Sequence, residues 1–206
     1  MVCIAVTGAI SSGKSTFSRY VVDQYGYAVL DADEVVSRIY RDDIAVRDAL
    51  QKRFGSEVMD PSGVVNRHYL RQAIYADPLD RAYVESLVHP LVRDKLLAFK
   101  KKFQQYYVFV MVPLLYETGS WHVYDRVVVI DADTSVCYRR CLARGMEPEI
   151  IKNIQFVQSE RGARLKIADD IIYNMRTKLF FYQQIDRMVL YHRNRFGGVY
   201  FQYNKR

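Results

Sequence analysis

A chain of 206 residues, half of them apolar, can bury one substantial core and at most a small appended lobe. Its formal charge of +7 is concentrated at one end: from Met175 to Arg206 seven basic residues meet a single acid, Asp186. The rest is nearly balanced, which argues against a uniformly basic surface and predicts no nucleic-acid partner. Cys3, Cys137 and Cys141 form an odd set without CxxC spacing, so neither a disulfide framework nor a zinc site is indicated. No basic leader precedes an apolar run, and no stretch approaches the ~18 apolar residues of a membrane span, so the expected location is cytoplasmic.

Val2 to Val6 reads as a buried strand running into TGAISSGKST, where Gly8, Gly13, Lys14 and Ser15 fill the pattern GxxxxGK[ST]. Small residues between a strand and a helix let backbone amides turn around phosphate oxygens, and the helix adds the positive end of its dipole. The loop Gly8, Ala9, Ser11, Ser12, Gly13, Lys14, Ser15 and Thr16 is therefore the expected nucleotide cradle. Lys14 would neutralise the β- and γ-phosphates of ATP, and the Ser15 hydroxyl would complete a Mg²⁺ shell.

Phe17, Tyr20, Val21 and Tyr25 recur at helical spacing, and Gly26 supplies a stop. Tyr27 to Leu30 predicts a second strand, ending in Asp31-Ala32-Asp33-Glu34. Acids at the carboxyl end of such a strand lie where ligands bind in open α/β sheets. Asp31 and Glu34 also fit a helix capping box, so this reading gives the cap to Asp31 and the chemistry, proton acceptance from an attacking hydroxyl, to Asp33.

From Val35 to about Gln105 the pattern is helical. One or two helices end at Gly55, Asp60-Pro61-Ser62-Gly63 makes a turn, a helix starts after Asn66, Asp77-Pro78 ends it, and His89-Pro90 starts or kinks another. This is far longer than a βαβ crossover needs, and predicts an inserted substrate lobe. Arg71 within it is either a phosphate clamp or a solvated helical arginine.

Tyr106 to Val112 is a third strand, halted by Pro113 ahead of Leu114-Leu115-Tyr116-Glu117. Glu117 reads either as a substrate or metal-water contact or as an exposed loop acid. Arg126 to Ile130 is a fourth strand; Asp131 to Thr134 ends it and caps a helix bearing Arg139, Arg140 and Arg144. Arginines four or five apart share a helix face and converge on a polyphosphate, which suggests a mobile lid. Helices from Pro148 to Ala168 carry Gln158, Arg161 and Arg164; Asp170 to Tyr173 is a fifth strand closed by Asn174; a helix from about Thr177 to Tyr191 leads to a Gly197-Gly198 tail.

TGAISSGKST, the DAD at Asp31 to Asp33, NRHYLRQAIY from Asn66, His89-Pro90, VPLLYE from Val112 to Glu117, and Gln158 through ADDIIYN occur in the order and spacing of dephospho-coenzyme A kinases, which the chain resembles from about Val2 to Asn174. The resemblance implies an α/β fold: a P-loop kinase core with a five-stranded parallel sheet flanked by helices, a helical substrate-binding insert and an arginine-bearing lid. It implies one domain over 1-206, with core 1-31, 106-138 and 166-206, a coenzyme A-binding insert 32-105 and a lid 139-165.

The implied reaction moves the γ-phosphoryl group of ATP to the ribose 3′-hydroxyl of dephospho-coenzyme A, with Asp33 as base, Lys14 and Arg144 assisting, and Mg²⁺ as cofactor. Arg139, Arg140 and Asn174 would meet ATP; Asp33, Arg71, His89, Pro113, Tyr116 and Glu117 would line the acceptor side. Ala9 and Ser11 stand where this family usually has glycine, Asn153 where it often has Arg, and Met175 where Gly often follows the last Asn. Two rivals remain: a P-loop kinase acting on a nucleoside monophosphate, and a nucleotide-regulated protein using its basic tail on RNA or an acidic membrane.

Overall fold

The computed structural model describes residues 2–103 and 107–196. Five short, β-branched-rich runs form the strands: Val2–Thr7 (β1), Val29–Asp31 (β2), Tyr107–Met111 (β3), Arg126–Asp131 (β4) and Asp170–Tyr173 (β5). All pair in parallel in the order β2-β3-β1-β4-β5, with Val6 of β1 opposite Met111 on one side and Val128 on the other. The first strand is therefore central, and the loop leaving it emerges at the middle of the sheet's carboxyl edge.

Strand alternation sends Ile4 and Val6, Phe109 and Met111, Val128 and Ile130, and Ile172 into one core cluster. Two helices cover that layer, Lys14–Tyr25 (α1) through Phe17 and Val21, and Lys178–Phe196 (α9) through Phe181, Ile185, Met188 and Val189. The four- and three-residue spacings put these side chains on one helix face. Phe17 meets Phe109 edge to face with ring centroids 5.2 Å apart. Each such burial contributes about 2 kcal/mol, which fixes α1, and hence the loop before it, against the sheet.

The described residues divide into two compact units, one built from the chain up to Asp31 and from Phe103 on, the other Ala32–Lys102. The second unit is helical: Ala32–Asp42 (α2), Ile44–Phe54 (α3), Arg67–Ala76 (α4) and Pro78–Phe103 (α5), the last ending in the first unit. Side-chain caps start two of them, Asp43 accepting from the Val46 amide and Asn66 from those of His68 and Tyr69. The expected turn is present: Asp60 Oδ1 accepts from the Ser62 and Val64 amides, and Gly63 takes φ 77°.

Several boundaries differ from expectation. The second strand starts at Val29 rather than Tyr27, because Gly26 closes α1 with a left-handed turn (φ 64°) in which the Tyr27 amide still donates to Val21 O. Of the two alternatives at His89-Pro90 the helix start is ruled out: α5 runs through Pro90, with Val84, Val88 and Leu96 buried on either side, so packing outweighs one lost backbone hydrogen bond. The last helix reaches Phe196, five residues past the expected end. Tyr106, where the third strand was expected to begin, and the Gly197-Gly198 tail lie outside the described residues.

One buried polar group ties α9 to the sheet. His192, fully buried, places Nε2 3.0 Å from Asp170 Oδ2, which also accepts from Arg126 Nη2 at 3.0 Å. Burial alone works to raise the Asp170 carboxyl, but hydrogen bonds from His192 and Arg126 outweigh it and hold the group below its ordinary value. A depressed folded value means stability that is present above the unfolded carboxyl value near ~3.9 and is lost as pH falls further. Asp170→Asn should therefore cost roughly 1–3 kcal/mol near neutral pH. The deficit from wild type should shrink below about pH 4 in urea titrations; a deficit unchanged from neutral to strongly acidic pH contradicts this reading.

Candidate active site

The loop between β1 and α1 is held closely by what surrounds it. A Cβ on Gly8 (φ 149°) would stand 2.3 Å from the Ile130 carbonyl oxygen of β4, and one on Gly13 (φ 118°) 2.3 Å from Asn174 Nδ2. Both positions thus require glycine for approach as well as conformation. Gly13 gives α1 no side-chain cap, and the first turn of α1 carries no acid, so the helix presents an uncompensated positive end. Lys14 Nζ donates to Gly8 O at 2.7 Å and Ala9 O at 2.9 Å, which holds the ammonium against the start of the loop. Ser15, one residue on, is exposed. Ser11 adopts φ 56°, the only positive φ outside glycine among the described residues.

Side chains from three later elements fasten this loop from outside. Helix Thr134–Leu142 (α6) supplies Cys141, whose buried thiol donates to Ser11 Oγ at 3.2 Å, and Arg140, whose Nη1 lies 3.5 Å from Ser11 O. Arg140 Nη2 also donates to Asn174 O at 2.9 Å, and Asn174 Nδ2 to Ser12 O at 2.7 Å. Asn174, just beyond β5, is therefore a bridge between Arg140 of α6 and the loop after β1. Gln158, which ends helix Pro148–Val157 (α7), accepts from the Ile10 amide at 2.9 Å.

Beside the loop opens a cleft of about 310 Å³ lined by Ser11, Gly13, Thr16, Arg19, Arg140, Arg144, Asn174, Arg176, Lys178, Phe181 and Tyr182. Five cations and no acid line it, against one aromatic wall. Arg139 is exposed and absent from this lining; adjacent helix positions point about 100° apart, so Arg139 and Arg140 do not converge. Arg144 does line the cleft, from the turn after α6 rather than from the helix. Within the Asp131 to Thr134 segment expected to cap α6, Asp133 stands at the N-cap but gives no side-chain cap: its Oδ1 accepts from Arg161 Nη1 at 2.6 Å, while Arg161 Nη2 and Nε grip the buried Asp131 carboxylate at 2.6 and 2.9 Å. The Asp131 hydrogen bond raises the Arg161 guanidinium further above its ordinary value.

Beyond β3, Pro113 and Tyr116 are half-buried, and Tyr116 stacks on Trp121 at 5.5 Å. Glu117 Oε1 accepts from the Ser159 amide at 2.5 Å, so this acid is tied to the α7 terminus and is not an unattached loop acid. In the helical unit Asp33 is exposed in the first turn of α2, two residues past β2; Arg71 on α4 and His89 on α5 are exposed as well.

Arg19, Arg176, Lys178, Phe181 and Tyr182 were not singled out as site residues by the sequence. The alternation Asn174, Arg176, Lys178 was the available signal, obscured because a run of basic residues on a terminal helix reads as solvated. Part of that basic excess is structural: Arg193 sits 5.3 Å from the Tyr25 ring and donates to Tyr27 Oη at 2.9 Å.

An uncompensated helix N-terminus next to a cleft whose charged lining is all cationic is suited to a polyphosphate, and on a parallel sheet of this order it marks a phosphotransferase of the P-loop kinase class. Comparisons agree. The dephospho-CoA kinase family model matches residues 2–178. A dephospho-CoA kinase of Vibrio cholerae is 33% identical over 172 residues, 83% of this chain and 85% of the relative. A crystallised Thermus thermophilus protein superposes with TM-score 0.78 at 26% identity, covering 93% of this chain and 97% of the other; a Campylobacter jejuni dephospho-CoA kinase, at TM-score 0.60 and 22% identity, covers 91% and 95% and shares the fold. The chain belongs to the dephospho-CoA kinase family.

Gly13→Ala is expected to weaken ATP binding at least tenfold in calorimetric titration, because the new methyl must displace Asn174 and with it the Arg140 contact. Unchanged affinity would show that the Asn174 bridge is dispensable.

Proposed function

We propose that this chain, as a dephospho-CoA kinase, transfers the γ-phosphoryl group of ATP to the ribose 3′-hydroxyl of dephospho-coenzyme A in the cytoplasm. The observation that carries this is the loop from Gly8 to Thr16, strapped between β4, Asn174 and Arg140 and opening on a cleft lined only by cationic, polar and aromatic side chains. Loop amides and the α1 N-terminus bind the β- and γ-phosphates; Lys14, seated against the Gly8 and Ala9 carbonyls, neutralises the transferring group; Arg140 and Arg144 neutralise charge as the bond to the leaving oxygen lengthens. The cleft beside Asn174, walled by Phe181 and Tyr182, takes the adenosine end.

Asp33 accepts the proton of the 3′-hydroxyl and aims it in line. Support for this comes from its chain position: an exposed acid two residues past the carboxyl end of a strand in the sheet whose central strand carries the loop. Arg71, His89, Pro113, Tyr116 and Glu117 are assigned to the acceptor on the strength of the family resemblance. Among the described residues no cluster of three or more His, Cys, Asp or Glu side chains could hold a metal by itself. A nucleotide-borne Mg²⁺ needs no such cluster, since it takes one or two protein ligands and completes its shell with phosphate oxygens and water; the exposed Ser15 hydroxyl fits that role. When bound, Mg²⁺ would supply charge neutralisation to the nucleotide phosphates. No helix among the described residues is long and apolar enough to cross a membrane.

Asp33→Asn should bind ATP as wild type does and lose at least a hundredfold in kcat, in line with general-base contributions of about 10²–10⁴. Near-normal turnover by that variant would refute the role. Lys14→Ala should weaken ATP binding and slow transfer together, read by titration and by single-turnover kinetics.

A further inference from the structure

The peptide joining Ala9 to Ile10 is gripped on both sides. Its N–H, on Ile10, donates to Gln158 Oε1 at 2.9 Å. Its C=O, on Ala9, accepts from Lys14 Nζ at 2.9 Å and from the Ser12 amide at 3.1 Å. In a trans peptide the C=O and N–H point in opposite directions, so fixing one fixes the other. A glutamine outside the loop thus determines where the carbonyl that seats the phosphate-loop lysine points.

Gln158 is itself held in place. It ends α7 in an extended conformation, φ −80° and ψ 138°, with its own amide returned to Ile154 O. The next residue is pinned from two directions: the Ser159 amide donates to Glu117 Oε1 at 2.5 Å, and the Ser159 carbonyl accepts from Arg164, which is buried to 7% exposure. A side chain with this little backbone freedom offers a preorganised acceptor. Ala9 and Ser11 flank Ile10, and Ser11 sits in the left-handed region at φ 56°, so the front of the loop is under conformational restraint.

We propose that Gln158 is a positioning residue for phosphoryl transfer: by holding the Ile10 amide it sets the Ala9–Ile10 peptide plane, and through the Ala9 carbonyl it presents Lys14 to the nucleotide phosphates. The neighbouring Ser159–Glu117 contact makes the α7 terminus a junction between the phosphate loop and the turn after β3. The inference rests on the nucleotide-binding role proposed for the loop.

The test compares wild type with Gln158→Met, which keeps the length and loses the acceptor, and Gln158→Glu, which retains an acceptor oxygen. A neutral hydrogen bond of about 1 kcal/mol corresponds to roughly a fivefold effect. Gln158→Met should raise KM for ATP about fivefold, leave KM for dephospho-coenzyme A within twofold, and speed amide hydrogen exchange at Ile10 while amides of the β1 core stay protected. Gln158→Glu should recover most of the Ile10 protection and most of the ATP affinity. The proposal is overturned if Gln158→Met leaves both KM for ATP and Ile10 exchange as in wild type, or if it raises both KM values equally with general loss of protection. Ile10 exchange is read without nucleotide, so a wild-type protein unable to use ATP would defeat the functional reading and leave this one to be decided on exchange alone.

Discussion

The absence of room for a Cβ at Gly8 and Gly13 is the constraint on which the site depends. At the first, the loop lies against the β4 backbone; at the second, against the Asn174 amide. Contacts this close join three distant parts of the chain, because Asn174 bonds Ser12 on the loop and Arg140 on α6. The rigid element beneath them is the central strand, buried on both sides by β3 and β4 and anchored by α1 and α9. Neighbouring backbones therefore shape the loop as much as its own sequence does.

Electrostatics follow from the same arrangement. The loop contributes partial positive charge through a helix N-terminus, and the adjacent cleft adds full charges from Arg19, Arg140, Arg144, Arg176 and Lys178. Acids nearby are engaged elsewhere: Asp131 and Asp133 by Arg161, and Glu117 by the Ser159 amide. Pairing those carboxylates with cations or amides outside the cleft keeps its field one-signed, which favours a polyanion over any neutral ligand.

What the sequence made legible was local. The strand–loop–helix around Lys14, the glycine stop at Gly26, the Asp60 turn and the fifth strand all follow from short-range rules of pattern and turn chemistry, and each is present. What it hid was long-range. No periodicity announces that Gln158 would meet Ile10, that Cys141 would meet Ser11, or that Arg161 would claim Asp133 at the start of α6. Those pairs are separated by up to 148 residues and arise only once the sheet order is set. At Pro90 the local rule left a helix start and a kink both open, and only the start is excluded, by a helix that packs its apolar face on both sides of the proline.

The basic terminal segment, which suggested a separate partner, is divided between the cleft and the packing of α9 as far as it is described: Arg176 and Lys178 face the cleft, and Arg193 lies over tyrosines. The account is tested most directly by incubating the protein with ATP, Mg²⁺ and dephospho-coenzyme A and locating the transferred group by mass spectrometry and phosphorus NMR. It predicts one added phosphate, on the ribose 3′-oxygen, formed in step with ADP. ADP without a phosphorylated acceptor, or phosphate appearing on a nucleoside monophosphate in preference, would contradict it.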